Sequence, residues 1–132
     1  MIRFLIGAIG LSVAVTHVLA ADPIEVGVGY LRHARVKETL SLVDQPANDN
    51  GIAGARLAIE DNNTTGKFLG QHFTLDDTRV KDGDDVVKAA TTLAEHDGFL
   101  ILDLSADEVL KVADALRDRG TVLFDAGSID DR

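Results

Sequence analysis

Cysteine is missing from the 132-residue chain, and with it go disulfides, thiolate metal sites and a cysteine nucleophile. An exported domain with an adequate core does not require disulfides. Positive charge is scarce as well: 13 Lys and Arg stand against 22 Asp and Glu, a formal net charge of −9. The long-range field of such a chain repels phosphate, which argues against nucleic acid or anionic lipid as partners. No Gly-x-Ser-x-Gly, Walker or His-Glu-x-x-His pattern occurs, and no internal repeat or low-complexity tract. The histidines His17, His33, His72 and His96 show no paired spacing for a metal. Nothing in these patterns points to catalysis, a cofactor or a metal centre.

What is present begins with an export signal. A positive start at Met1-Ile2-Arg3 leads into an apolar run from Phe4 to Val15, with small residues Val18 and Ala20 at the −3 and −1 positions. This describes a secretory signal peptide over residues 1–20, cleaved before Ala21, so an exported mature protein is expected. The run is shorter than the ~20 residues a bilayer-spanning helix needs, so no membrane insertion is expected after cleavage. Losing Arg3 makes the chain one unit more negative, and residues 21–132 allow one domain at most.

The mature chain alternates strand and helix signals. Ile24–Tyr30 alternates larger apolar residues with Glu and Gly and reads as a first strand, followed by a long loop over Leu31–Asn50 that holds Pro46. Gly51–Thr64 carries Ile52, Ala55 and Ile59 at helical spacing, with Gly66 as the expected stop. Gln71–Val80 reads as a more exposed strand and Asp84–His96 as a helix closed by Asp97-Gly98. Phe99-Leu100-Ile101-Leu102 is a continuous apolar run, the signature of a strand covered on both faces. Ser105–Arg119 places Val109, Val112, Ala113 and Leu116 at i, i+3, i+4 and i+7, and Thr121–Phe124 is a fourth strand. The order β-α-β-α-β-α-β with helical crossovers predicts an α/β fold, a parallel sheet with helices on both faces. Such sheets usually run to five or six strands, and no helix follows the fourth strand before Arg132, so a part of a longer protein is expected.

In a parallel sheet, ligands bind beyond the carboxyl ends of the strands. The segments to watch are therefore Tyr30-Leu31-Arg32-His33, Asp76-Asp77-Thr78, Asp103-Leu104-Ser105 and Asp125-Ala126-Gly127-Ser128. Tyr30 and Arg32 offer a stacking face and a charge; a solvated loop edge is the plainer alternative. Ser105 opens a helix whose free N–H groups could meet a ligand oxygen. It also begins Ser105-Ala106-Asp107-Glu108, a capping-box pattern that satisfies the helix start internally. Asp107 and Glu108 already occupy the positive helix end, so a neutral or cationic ligand group is favoured there. Ser128 follows the fourth strand in a turn where Gly127 permits close backbone approach, or is an ordinary turn residue. The acidic stretch Asp76-Asp77 and Asp82-Gly83-Asp84-Asp85 lacks the spacing of an EF-hand loop and reads as solvated surface with helix-capping Asp.

The export signal, the long first loop and Gly51-Ile52-Ala53-Gly54-Ala55-Arg56-Leu57-Ala58-Ile59-Glu60-Asp61-Asn62-Asn63 together resemble the start of a type I periplasmic solute-binding protein of ABC importers, a family that includes the branched-chain amino acid binders. With Tyr30-Leu31-Arg32-His33-Ala34 and Thr64-Thr65-Gly66, the chain is similar to a subgroup linked to PQQ-dependent alcohol oxidation systems. The resemblance implies residues 21–132 as part of the N-terminal lobe of a two-lobed, non-enzymatic protein that closes on a small solute and delivers it to an inner-membrane ABC permease. It also implies ligand contacts from Asp103 and Ser105 after the third strand, and from Ala126 and Ser128 after the fourth. The acidic residues near Ser105 argue against an ordinary amino acid as ligand. A sensory receptor ectodomain and an exported α/β hydrolase are the rival classes.

Overall fold

A computed structural model describes residues 22–34, 47 and 49–128. The expected signal peptide at 1–20, most of the loop between Leu31 and Asn50, and the end at Asp131-Arg132 lie outside the described residues. The elements run β1 (Ile24–His33), α1 (Asn50–Leu69), β2 (Gln71–Val80), α2 (Val86–Leu93), β3 (Phe99–Asp103), α3 (Ala106–Leu116) and β4 (Val122–Asp125). The four strands form one sheet in the order β2-β1-β3-β4, and every pairing is parallel. The chain is thus α/β, with helices on both faces of a parallel sheet.

Side-chain alternation along the strands assigns the faces. Leu31, Val80, Leu100 and Leu102 point to one side and form the main core with Ala90 and Leu93 of α2, Leu104, and Val112 and Leu116 of α3. Each fully buried Leu contributes on the order of 2 kcal/mol through apolar burial. On this face Gly27 and Gly29 of β1 leave room for the buried Asp97, since added methyl groups there would stand 2.5 and 2.9 Å from its carboxylate oxygens. The opposite face carries Tyr30 and Phe73 and is covered by α1. Asn63 fastens this helix to β2: its amide donates to the Phe73 carbonyl and accepts from the Phe73 N–H, both at 2.8 Å. Two main-chain groups on the outer edge of the sheet are satisfied that way.

Three expectations are corrected. First, β1 continues through His33, so Leu31 is a core strand residue instead of the start of a loop. Second, α1 runs past Gly66. A methyl group at Gly66 would stand 2.8 Å from the Gln71 carbonyl oxygen, so this glycine serves close packing on β2. The helix stops at Gly70, whose φ of 66° is the left-handed conformation of a C-terminal glycine. Third, β3 is fully covered on one face only. Phe99, Val122 and Phe124 on the α1 side remain 38%, 45% and 52% exposed. A greasy run records that both faces of a strand are apolar; it does not record what lies over them. Among the described residues, α1 covers β1 and β2 and leaves much of the β3–β4 half of that face open.

Candidate functional site

Strand order makes the switch point explicit. From β1 the chain goes to β2 on one side, then returns to β3 on the other, so loops diverge between the carboxyl ends of β1 and β3. A cleft of about 550 Å³ opens there, bounded by Tyr30, Arg32 and His33 of β1, Ile101 and Asp103 of β3, Ala126 and Gly127 after β4, and the first turns of α1. The α1 wall is made of Gly51, Gly54, Ala55 and Ala58, with Asn50 and Ile52 at the helix start. A spacing of i, i+3, i+4 and i+7 puts those four small residues on one side of the helix.

Tyr30 and Asp103 converge above Gly51. A methyl group at 51 would collide with the Tyr30 hydroxyl oxygen and stand 3.7 Å from Asp103 Oδ2. On the other flank, a methyl group at Gly127 would stand 2.6 Å from Asp103 Oδ1. Two glycines therefore let the backbone close around one carboxylate. Tyr30 is 3% exposed, and its phenol is pushed above the ordinary value by burial first and by the Asp103 charge second.

Among the described residues at the cleft, Arg32 and His33 are both engaged with carboxylates. Arg32 donates from Nε and Nη2 to the two Asp77 oxygens at 2.8 and 2.9 Å, a bidentate pair, and Arg56 adds a 3.2 Å contact to the same carboxylate. The hydrogen bond from Arg32 is the main reason Asp77 lies below the usual carboxylate range, and it raises Arg32 in turn. His33 Nε2 lies 2.7 Å from Glu108 Oε1, tying the end of β1 to the start of α3.

Of the residues singled out by sequence, Tyr30, Arg32, Asp103 and Ala126 line the cleft. Ser105 and Ser128 do not. The Ser105 hydroxyl and N–H both donate to Glu108 Oε2, at 2.5 and 3.1 Å, in the capping box of α3. Desolvation works against the Glu108 charge, but hydrogen bonds from Ser105 and His33 outweigh it and hold the carboxyl down at about 2. The Ser128 hydroxyl donates to Asp125, which also accepts the Gly127 and Ser128 N–H groups at 3.2 and 3.0 Å. These bonds hold Asp125 below its ordinary value. In the acidic stretch, Asp85 caps α2 by accepting from the Lys88 N–H at 2.9 Å, and Asp84 accepts from the Lys81 N–H at 2.8 Å. Among the described residues, no group of three His, Cys, Asp or Glu could hold a metal ion.

The α1 wall escaped the sequence reading. Gly-Ile-Ala-Gly-Ala reads as helix content, and the Gly51, Gly54, Ala55, Ala58 spacing within it is the signal for a surface of close approach. No protein-family model and no curated protein matches the chain.

Proposed function

We propose that the protein is a periplasmic solute-binding component of an ABC importer and contributes part of the first of two lobes. The observation that carries this reading is the cleft at the carboxyl ends of β1, β3 and β4, at the switch point of a parallel sheet. Its size suits a small solute, and glycines at 51 and 127 bring main chain close to one buried-flank carboxylate. The open apolar half of the sheet around Phe99, Val122 and Phe124 supports a layer that packs against more polypeptide.

In this reading the protein binds and releases its solute without chemistry. Ligand docks on the strand ends, and closure of an opposing lobe supplies the remaining contacts and the shape read by an inner-membrane permease. The resemblance to the subgroup linked to PQQ-dependent alcohol oxidation supports an exported location and a small solute from that metabolism.

A single lobe is an open shelf, so the chain alone binds weakly. Calorimetric titration of concentrated protein should give millimolar to high-micromolar affinities. Submicromolar affinity for a small molecule would mean that these residues hold a complete site, and the two-lobed reading would fall.

A further inference from the structure

The charges around the cleft are distributed unevenly, and this narrows what it can hold. Arg32 is committed to Asp77 through two hydrogen bonds, and His33 to Glu108 at 2.7 Å. Asp103 has no ion-pair partner among the described residues; the Tyr30 hydroxyl stands beside it, and Arg32, its register partner on β1, is held by Asp77 instead. Gly51 and Gly127 flank the carboxylate without side chains to shield it. From there the cleft runs along Ala55, Ala58 and Ile101, an apolar floor long enough for a short hydrocarbon chain.

The start of α1 brings a partial positive charge of about one half to the same cleft. Asp49, its N-cap residue, places a carboxylate at that end. A full charge on Asp103 therefore outweighs a half charge that is itself offset. An incoming carboxylate would meet Asp103, while among the described residues that line the cleft Arg32 and His33 are both already held by carboxylates.

We propose that the cleft takes a small organic cation lacking a carboxylate, with its ammonium on Asp103 and Tyr30 and its apolar part on Ala55, Ala58 and Ile101. This rests on the reading of the cleft as a solute site, and it names the ligand class. Asp103 carries the preference, unlike the helix-capping carboxylates near Ser105, which do not line the cleft.

Tyr30 is the single tyrosine of a chain without tryptophan, so its emission reports from the cleft itself. Four probes of similar shape separate the charge classes: isoamylamine, isoamyl alcohol, 4-methylpentanoate and leucine. Isoamylamine should shift Tyr30 emission at the lowest concentration, the alcohol should follow, and the acid and leucine should trail by about tenfold or more. Asp103→Asn should weaken the amine at least about tenfold and leave the alcohol nearly unchanged, as expected for losing one charged hydrogen-bond acceptor. The ranking on the unaltered protein needs no variant to fold. Leucine or 4-methylpentanoate binding as tightly as the amine overturns the charge assignment and leaves the cleft standing as a solute site. Silence of Tyr30 toward all four also overturns it, whereas failure of the site reading would show as ligands binding elsewhere on the chain.

Discussion

Gly127 lies flat against Asp103: a methyl group added at 127 would stand 2.6 Å from Asp103 Oδ1 and 2.8 Å from the Asp103 main chain. The turn after β4 can reach the end of β3 only because position 127 has no side chain. Gly127→Ala should cost on the order of 1–3 kcal/mol, the usual price of forcing an extra methyl into a packed site. Urea unfolding checks this. An unchanged midpoint would show that the turn gives way freely and does not shape the cleft.

Arg32 and Asp77 hold the ends of β1 and β2 together, with side chains 14% and 20% exposed. Asp77→Ala strands the guanidinium and should destabilise the fold by about 1.5–3 kcal/mol, the range for a hydrogen bond to a charged group. Arg32→Lys should recover little, since an ammonium cannot reproduce the paired geometry. Because Asp77 sits below its ordinary value, the stabilisation is present above the usual carboxylate range and fades as pH falls through the lower native value. Equal stability of Asp77→Ala and the parent protein at neutral pH would show the pair to be idle.

Glu108 should dominate the response to acid. Its native value of about 2 against an ordinary 4.5 corresponds to roughly 3 kcal/mol, present in full above pH 4.5 and lost as pH falls toward 2. Glu108→Gln should remove that component, so its stability should vary less across this window. Parallel acid profiles for the two proteins would contradict the capping and His33 contacts as the source.

Asp97 should act in the opposite sense. It is 3% exposed, its Oδ2 has no hydrogen-bond partner among the described residues, and burial, then Asp76, pushes its carboxyl up. A raised native value means stability that is complete below the ordinary value and is lost as pH rises through the native one. Asp97→Asn should therefore gain on the parent in urea unfolding as pH rises above the ordinary carboxylate value. A parent protein whose midpoint stays level as pH rises through and beyond the ordinary carboxylate value, matching the variant, would mean that the carboxylate finds solvent.

The fold was legible because its signals are periodic. α3 shows its core face as Val109, Val112, Ala113 and Leu116, and β2 spans Gln71–Val80 as expected of a more exposed strand. Helix length was less legible, because Gly66 and Gly70 look alike in sequence and only the neighbouring strand decides which one ends α1. At the site, Tyr30, Asp103 and Ala126 followed from the rule that ligands meet strand ends. The commitment of Arg32 was hidden, since it depends on β1 pairing with β2 in a register that sets Tyr30 opposite Asp77. Ser105 carried its capping role in plain view, and the hydrogen bonds to Glu108 fill it.

Binding by a small solute requires that it meet the carboxyl ends of β1, β3 and β4. Amide correlation spectra of the labelled chain, titrated with a broad set of small solutes, test that most directly. The predicted result is a weak, saturable movement of the Gly51, Asp103 and Gly127 signals together. Shifts that leave the Gly51, Asp103 and Gly127 signals unmoved, or no shifts with any solute, would contradict it.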